Sequence, residues 1–366
     1  MKFSTSRENL LVPLQQIVGV IERRQTLPIL GNVLLRLKDG RLELTGTDLE
    51  VQLITRVGVD SSDSGSITVP ARKLLDLCRL LPDQSTLAVE CRSERFHLQS
   101  GRSRFTLSTM AAESYPEFDT GLTDRSLQLT ARSLKRAMEK TLFAMAQQDV
   151  RYYLNGLLFE IDGGRIRTVA SDGHRLALFE DEIAVPGVDS AQVIIPRKGA
   201  IELFRLLPDG ESPITIELAA SSIRVLMDQV SFSAKLIEGR YPDYRRVLPE
   251  SATRRVLADK ATLRAALTRV AVLASEKFRG VAIDLSEGAL ALKTRNPEHE
   301  EAEEEVPVEL QGDPLSVGFN ASYLLDAVNN VESEDVSLSF TDASSSCLVE
   351  DMKDTRFRYV VMPMRL

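Results

Sequence analysis

The sequence predicts an α+β protein built from three copies of one domain, each with two helices packed on a largely antiparallel sheet. Three observations predict this class. A fifteen-residue segment recurs without a gap, the blocks around it keep almost the same spacing, and a fainter third set of blocks continues the period. Because about 120 residues is a typical domain size, we expect domains at 1–125, 126–253 and 254–366.

The repeat is clearest around the second helix of each unit. VPARKLLDLCRLLPD (69–83) aligns with IPRKGAIELFRLLPD (195–209) at a spacing of 126 residues, and seven of the fifteen positions are identical. YPEF (115–118) matches YPDY (241–244) at the same spacing, and GVAIDLSEGALALKTRN (280–296) follows 156–172 at a spacing of 124. Chance likeness between amphipathic helices does not keep one offset across strands, turns and helices, so the match indicates a true repeat.

Each unit has the same predicted elements. A helix opens it, at 8–21, 131–146 and 260–274, with apolar residues at i, i+3, i+4 and i+7. Alternating strands follow, broken by DG, GG or EG turns. A second helix begins near Pro70, Pro196 or Asn320, and further strands complete the unit.

Composition favours a globular protein of the cytoplasm. The apolar fraction is 43%, no apolar run is long enough to cross a membrane, and the amino-terminal residues do not resemble a signal peptide. The three cysteines, Cys78, Cys91 and Cys347, form no CxxC pair and indicate a reducing compartment.

The net charge of −8 does not exclude nucleic acid as a partner. The three predicted domains carry 16, 16 and 13 basic residues against 16, 17 and 20 acidic ones, so the excess of acid lies in the last third, mostly in EHEEAEEE (298–305). A protein that is acidic overall can still present a local basic stripe to phosphates.

Basic residues recur at helical spacing. Arg132, Arg136 and Lys140 follow one another every four residues, and the second helices begin with Arg72-Lys73 and Arg197-Lys198. Such stripes suit contacts with phosphates that do not read the base sequence, although a solvated helix face has the same pattern.

Two adjacent tyrosines, Tyr152 and Tyr153, stand beside Gln148 and Arg151. Either they stack on a sugar or base while their neighbours bind phosphate, or one is a core residue and the other fills a sheet edge.

The two ends of the chain have opposite charge. The acidic run 298–305 contrasts with a basic, partly apolar segment of the first copy that contains Lys73, Arg92, Arg95, Arg102, Arg104, Phe105 and Leu107. Complementary ends suit head-to-tail association, which closes into a ring if the rotation permits. The alternative is a solvated acidic loop.

Signals for catalysis are weak. His97, His174 and His299 are the only histidines, and Asp172 with His174 in SDGHRL is the only pairing that suggests an active site. A metal site needs three or four ligands, and no P-loop, GxGxxG, HExxH or GxSxG motif occurs. Since Asp172 aligns with Asp48, it is expected to be a turn residue. We expect no catalytic residue, no metal and no cofactor, leaving an enzyme that uses Asp172 and His174, or a scaffold that binds only protein, as alternatives.

The chain resembles the bacterial DNA polymerase III β subunit family, the sliding clamps, over its whole length. The motifs that carry the resemblance are TLPILGN (26–32), LTGTDLE (44–50), GRSRF (101–105), QDVRYYLNG (148–156), DGHRL (172–176), VIIPRKG (193–199), YPDYRRVLP (241–249), NPEHEEAEE (296–304) and YVVMPMRL (359–366).

The resemblance implies a non-catalytic processivity factor that encircles double-stranded DNA as a head-to-tail homodimeric ring of six DNA-clamp domains. It also implies partners: the DNA polymerase III α subunit, a clamp loader, and other polymerases and repair factors that bind through short peptides, with no membrane partner.

The resemblance assigns three groups of site residues. The implied DNA-binding residues are Arg24, Gln148, Tyr152, Tyr153, Arg197 and Lys198. The implied partner-binding cleft contains Leu154, Ser171, Gly173, His174, Arg175, Leu176, Pro242, Arg246, Val247, Ser346, Val360, Met362, Pro363, Met364, Arg365 and Leu366. The implied dimer interface joins Lys73, Arg95, Arg102, Arg104, Phe105 and Leu107 to Val272, Leu273, Glu298, Glu300, Glu301 and Glu304.

The sequence departs from the family at two of these surfaces. Val12 stands where relatives often carry a basic residue facing the DNA, so that contact is not expected here. Ser171 replaces a threonine of the cleft and keeps its hydroxyl group.

Overall fold

The computed structural model describes residues 1–22, 27–183, 189–249, 251–275 and 278–365. Within them each copy has the same order of elements: a strand, a helix, four strands, a helix and three strands. The first copy contains β1 Lys2–Ser6, α1 Arg7–Val20, β2 Asn32–Lys38, β3 Arg41–Thr47, β4 Val51–Gly58, β5 Gly65–Pro70, α2 Ala71–Leu80, β6 Thr86–Arg92, β7 Arg95–Ser100 and β8 Ser103–Ser108.

The other two copies follow the same order. The second contains β9 Arg125–Thr130, α3 Ala131–Glu139, β10 Gly156–Asp162, β11 Arg165–Ser171, β12 Arg175–Glu182, β13 Ala191–Pro196, α4 Arg197–Leu206, β14 Pro213–Leu218, β15 Ser222–Met227 and β16 Val230–Lys235. The third contains β17 Arg254–Asp259, α5 Lys260–Val272, β18 Gly280–Ser286, β19 Ala289–Arg295, β20 Glu301–Gln311, β21 Leu315–Asn320, α6 Ala321–Asn330, β22 Asp335–Phe340, β23 Cys347–Asp351 and β24 Phe357–Val361. Short 3-10 turns lie at Pro28–Gly31, Ala112–Ser114, Leu142–Ala144, Tyr152–Leu154 and Tyr244–Val247.

Two sequence predictions about the helices were wrong. A strand, not a helix, opens each copy, and the five residues of β1 are too few for their alternation to be recognised. The regular helix α3 ends at Glu139 rather than near 146. The buried Thr141 hydroxyl donates to the carbonyl of Ala137 at 2.8 Å and contacts the Thr168 hydroxyl at 3.2 Å, a local bonding pattern that competes with helix continuation. The starts of the second helices, after Pro70, Pro196 and Asn320, are confirmed.

The described residues form two compact units. The first comprises 1–135 and 198–236 and contains an eight-stranded sheet, ordered β5-β2-β3-β4-β16-β15-β14-β9, and a four-stranded sheet, ordered β1-β6-β7-β8. The second comprises 136–197 and 237–366 and contains a twelve-stranded sheet, ordered β13-β10-β11-β12-β24-β23-β22-β17-β20-β19-β18-β21. All ladders are antiparallel. The β4·β16 ladder joins the first copy to the second, and the β12·β24 ladder joins the second to the third.

The helices bury one apolar face on these sheets. Leu10, Leu14 and Ile17 of α1 are fully buried, as is Val270 of α5. Burying one such side chain contributes about 1.5–3 kcal/mol, so the amphipathic pattern fixes which helix face meets the sheet. The Asp259 carboxylate caps α5 by accepting from the backbone N–H of Thr262 at 2.7 Å.

The turns after β3 and β11 repeat bond for bond. Asp48 accepts from the backbone N–H groups two and three residues later, at 2.9 and 2.7 Å, and Asp172 does the same at 2.9 and 3.0 Å. Both turns place their second residue at positive φ, 80° for Leu49 and 85° for Gly173. The prediction that Asp172 is a turn residue is confirmed.

Candidate functional site

The predicted cleft residues lie on a largely apolar surface of the second unit. Leu158 of β10, Val169 of β11 and Leu178 of β12 are neighbours across the ladders, and Leu176 pairs with Val360 of β24. All are buried, together with Leu154 and the two linker tyrosines Tyr241 and Tyr244. Val247 and Leu248 pack against this cluster and remain partly exposed. The sheet therefore forms the base of this predicted site, and the linker after β16 packs along one side of it.

The turn at 171–175 fixes one rim. The Ser171 hydroxyl donates to the carbonyl of Arg175 at 2.7 Å and accepts from the N–H of Gly173 at 3.1 Å. Thr47 makes the same two bonds in the first copy, at 2.8 and 3.0 Å. Because either hydroxyl amino acid serves this turn, serine in place of threonine preserves it.

Arg175 supports the rim from beneath. Its guanidinium is paired with Asp326, donates to Asp172 at 3.1 Å and to the carbonyl of Phe143 at 3.0 Å, and lies over the ring of Tyr323 at 4.6 Å. Only 13% of the side chain is exposed. The resemblance places Arg175 in the cleft, and its hydrogen-bonding groups point into the protein.

The carboxy-terminal segment adjoins this turn. The N–H of Met362 donates to the carbonyl of His174 at 2.8 Å, and the N–H of Met364 donates to that of Gly318 at 2.8 Å. Ser346 contacts the Met362 sulfur at 3.0 Å, while the exposed His174 ring stacks on Tyr323. Met362, Pro363 and Met364 are partly exposed and Arg365 is exposed, whereas Leu366 lies outside the described residues.

The structure also places beside the predicted cleft residues several side chains that the sequence reasoning did not name. Tyr241, Tyr244, Leu178 and Tyr323 were not among the predicted site residues. The repeated Tyr-Pro motif was a usable signal for Tyr241 and Tyr244. Pro242 and Arg246, both predicted, lie exposed on the same linker, and Arg246 pairs with Asp243 at 3.1 Å.

A buried carboxylate continues the cleft on its polar side. Glu160 is 2% exposed and accepts from Arg167 at 2.5 Å, from Arg245 at 2.9 Å and from Gln192 at 2.6 Å. Arg167 also pairs with Glu180. A cavity of about 360 Å³ opens between this cluster and Leu248. The cluster ties the linker residue Arg245 to the sheet.

The predicted DNA-binding residues fall into two groups. Gln148 and Tyr152 are exposed on the loop 146–155, which the side chain of Asn155 closes through bonds of 2.9 and 2.8 Å to the backbone of Asp149. Tyr152 is 57% exposed, whereas Tyr153 packs against the cleft cluster. Tyr153 therefore packs within the protein, whereas the exposed ring of Tyr152 is available to stack on a ligand.

The basic pair at the start of α4 is partly used within the protein. Arg197 donates to the carbonyl of Met145 at 2.9 Å. Lys198 pairs with Glu22 at 2.9 Å and with Asp48. Burial opposes its charge, yet the hydrogen bonds to these carboxylates raise the pKa of Lys198 above its ordinary value. Arg24, the remaining predicted DNA contact, lies outside the described residues, and Val12 is exposed.

The predicted stripe of Arg132, Arg136 and Lys140 is not free for phosphate. Arg136 donates to both oxygens of Glu332, at 3.1 and 2.9 Å, and to Asp354 at 2.8 Å. Lys140 is 4% exposed and pairs with Glu332 at 2.7 Å. Arg132 pairs with Glu211 at 2.8 Å. The stripe prediction was wrong for Arg136 and Lys140, because acidic residues nearly 200 positions later in the sequence fold against them.

The basic side of the predicted interface lies on a sheet edge. β8 is the last strand of the four-stranded sheet, and its Phe105 and Leu107 are partly exposed. None of Lys73, Arg95, Arg102 and Arg104 has a carboxylate within 4.0 Å among the residues that the structure describes.

The acidic side has a similar open edge. β20 pairs with β19 over 301–307 and with β17 over 308–311. Among the residues that the structure describes, its first half therefore has a partner strand on one side only. Val272, at the end of α5, is 77% exposed. Glu301 pairs with Arg295 at 3.3 Å and Glu304 with Arg269, whose hydrogen bond lowers the pKa of Glu304.

Two features, a metal site and a membrane-spanning helix, are absent from the described part of the chain. No group of three or more His, Cys, Asp or Glu side chains is arranged to hold a metal ion there. No helix in those ranges has the length and apolar character that spanning a membrane requires.

Comparison with known proteins identifies the family. Models of the amino-terminal, central and carboxy-terminal domains of the DNA polymerase III beta subunit match residues 1–119, 128–243 and 245–365. The chain belongs to this family.

Relatives match over their full length. Proteins named beta sliding clamp from Pseudomonas aeruginosa and from Escherichia coli strain K12 are each 47% identical to the chain, with 100% of both sequences covered. A crystal structure of the P. aeruginosa sliding clamp bound to griselimycin matches with a TM-score of 0.98 and 47% identity, covering 100% of both chains. The Caulobacter crescentus clamp matches with a TM-score of 0.94 and 34% identity, also with full coverage. The predicted architecture of three clamp domains is confirmed.

Proposed function

We propose that this protein is a DNA sliding clamp: a non-catalytic, homodimeric ring that encircles duplex DNA and holds polymerases on it through the cleft of the second unit. The observation that carries the proposal is the match to beta sliding clamps, which covers 100% of this chain and 100% of those proteins. We infer domain boundaries at 125/126 and 253/254, and a cytoplasmic location, which three free cysteines support.

The cleft suits a short extended peptide. Its floor is apolar, its rims are backbone-fixed turns, and Met362 and Met364 are flexible side chains that adapt to different sequences. Polymerase III α subunit, the clamp loader, and other polymerases and repair factors would bind here in competition. Peptide binding at this position also explains why a terminal segment of the sequence is as apolar as MPMRL.

The two open strand edges suit ring closure. Antiparallel addition of β8 of one subunit to the first half of β20 of the other would satisfy the unpaired backbone groups of both. It would also bring the unpaired cations Arg102 and Arg104 toward the acidic segment, and Phe105 and Leu107 toward Val272 and Leu273. Such contacts are head-to-tail, and two copies close the ring.

Contact with DNA would be weak and independent of sequence. Gln148 and Tyr152 are exposed and remain our strongest DNA-binding assignments, with Arg197, Lys198 and Arg24 as supporting cations. Since Lys198 already has two carboxylate partners, it would contribute less counterion release than a free lysine. A clamp that must slide requires this kind of diffuse, modest attraction.

Topological retention tests the proposal. Protein loaded on nicked circular DNA by a clamp loader should stay bound through gel filtration at high salt and be lost when the same DNA is linearised. A scaffold that binds only protein would show no retention on either DNA. An enzyme using Asp172 and His174 would be retained equally on the circular and the linear DNA.

Charge reversal tests the interface. Arg102→Glu with Arg104→Glu should weaken the dimer in sedimentation experiments, more strongly at low salt, where repulsion is least screened. Glu298→Lys with Glu300→Lys should do the same. Mixing the two double variants should restore a mixed dimer, because one of its interfaces joins the two reversed edges and the other joins the two unaltered edges. If the mixture associates no better than either variant alone, charge pairing does not stabilise the dimer interface.

A further inference from the structure

The third copy contains an open groove that adjoins the predicted cleft at Met364 and Arg365 and is otherwise lined by residues of the third copy. It has a volume of about 940 Å³, and its lining includes Phe278, Gly280, Ala282, Lys293, Arg295 and Met364. Its position becomes informative when the three copies are compared strand by strand.

The same face of the sheet is covered in the other two copies. The rows of register partners that cross this face are Leu34–Thr45–Ile54, Leu158–Val169–Leu178 and Ala282–Lys293–Glu303. The first two rows are buried, except that Ile54 is partly exposed. In the third row Lys293 and Glu303 are exposed. The groove is therefore the third copy's version of a surface that is buried elsewhere in the same chain.

The covering segments in the first two copies are the linkers. After its last strand each copy returns to the same neighbouring strand: Met110 bonds to Thr68 at 3.2 and 3.3 Å, Ile237 to Ile194 at 2.9 Å, and Met364 to Gly318 at 2.8 Å. Tyr115-Pro116 follows the first of these contacts and Tyr241-Pro242 the second.

The linker tyrosine of the first copy enters a defined slot. The β2·β3 ladder begins only at Leu34 and Thr45, and the buried Tyr115 hydroxyl lies beside its open end. There it accepts from the N–H of Thr47 at 3.2 Å and lies 3.2 and 3.3 Å from the carbonyls of Thr45 and Asn32. The tyrosine thus occupies a gap between two strands.

The third copy has the same gap. Its β18·β19 ladder begins at Ala282 and Lys293, two register positions away from Gly280 and Arg295. The hydroxyl of Thr294 donates to the carbonyl of Gly280 at 2.7 Å, a bond that satisfies one of the backbone groups there. Within the described residues of this copy, no tyrosine bonds at the gap as Tyr115 does in the first.

We propose that this groove binds an extended segment of a partner protein in which a tyrosine is followed by proline and an acidic residue. The chain's own segments YPEF and YPDY, which cover the equivalent faces, define that chemistry. The row Ala282–Lys293–Glu303 is more polar than its counterparts, as a surface must be if it is exposed to water whenever the partner is absent.

The charges of the groove accommodate an acidic residue. Lys293 pairs with Glu303 at 3.1 Å and Arg295 with Glu301 at 3.3 Å, and all four side chains are largely exposed. Such exposed pairs contribute little, so an incoming carboxylate can replace either glutamate at low cost. Arg365 is exposed beside them.

The test uses the full-length protein and a fluorescein-labelled peptide with the sequence of residues 111–120, AAESYPEFDT. Fluorescence anisotropy should show saturable binding, about tenfold weaker for a peptide with alanine in place of the tyrosine. Ala282→Arg fills the groove and should abolish binding, whereas the matched control Ala282→Ser should retain it. Circular dichroism and sedimentation establish that both variants fold and keep the oligomeric state of the parent protein.

Three results would overturn the proposal. The first is absence of saturable binding up to about 1 mM protein. The second is equal binding of the peptide to the Ala282→Arg variant, which would mean that the peptide binds elsewhere, for example in the cleft of the second copy. The third is loss of the dimer in that variant, which would mean that another copy of this chain occupies the groove. Retention on circular DNA does not depend on this groove, so failure of this proposal would leave the proposed clamp function intact.

Discussion

Arg175 offers the sharpest test of whether a predicted cleft residue contacts the partner or supports the site. The variant Arg175→Met keeps much of the side chain's apolar length and removes the guanidinium. If the groups that Arg175 bonds inside the protein are its real partners, the change should destabilise the fold and affect peptide binding only indirectly.

The magnitude follows from the contacts. The hydrogen bond to the partly buried Asp172 is worth about 1.5–2 kcal/mol and the one to the Phe143 carbonyl about 1 kcal/mol. The ion pair with the half-exposed Asp326 adds at most about 1 kcal/mol. The contact with the ring of Tyr323 adds about 0.5–1 kcal/mol. Relief of guanidinium desolvation offsets part of this sum, so we expect a loss of roughly 2–4 kcal/mol in the free energy of unfolding.

Two measurements on the same variant separate the roles. Urea denaturation reports the stability, and anisotropy with a labelled peptide from a polymerase reports binding to the cleft at a temperature where the variant is folded. The conservative variant Arg175→Lys, which keeps the charge but not the planar array of donors, should fall between the parent and Arg175→Met in stability. Unchanged stability together with peptide binding weakened tenfold or more would refute the supporting role and make Arg175 a direct contact.

Four further predictions concern other parts of the molecule. Deleting residues 362–366 should abolish binding of polymerase peptides in the anisotropy assay while sedimentation still shows the dimer, and loss of the dimer would contradict the cleft assignment. Lys140→Met should lower the melting temperature, because it removes a buried partner of Glu332, yet leave the salt dependence of DNA binding unchanged. Lys198→Met should reduce the slope of log affinity against log salt by less than the value of about 1 expected for a free phosphate-binding lysine. Burial opposes the charge of Asp351, but four backbone N–H donors outweigh it and lower its pKa to about 2. Since the folded-state pKa lies below the unfolded value, its contribution of roughly 2 kcal/mol should be present above pH 4 and lost as the pH falls toward 2. Asp351→Asn should flatten the acid-denaturation profile in that window, and an unchanged profile would contradict the assignment.

Local chemistry determined much of this protein from its sequence. The period of the repeat, the starts of the second helices after Pro70, Pro196 and Asn320, and the turn formed by Asp172 all depend on residues within a few positions of one another. Hydrogen bonds between residues a few positions apart depend only on a short stretch of sequence. The same bonds recur in another copy of the repeat, which supports each local prediction a second time. The family resemblance added the cleft, and the structure brings its described residues together in one unit.

Only the tertiary structure decided which charged and aromatic side chains remain available to bind a ligand. Arg136 and Glu332 are 196 positions apart, and the sequence pattern of α3 cannot show that they meet. The same holds for Lys198 with Asp48, 150 positions away, and for the difference between Tyr152 and Tyr153. Helical periodicity reveals which side chains share a face, but the charge that neutralises a face comes from whichever strand or helix packs against it. The sheet ladders determine which element packs against a given helix face. Because these ladders join segments that are distant in sequence, local spacing does not predict the packing.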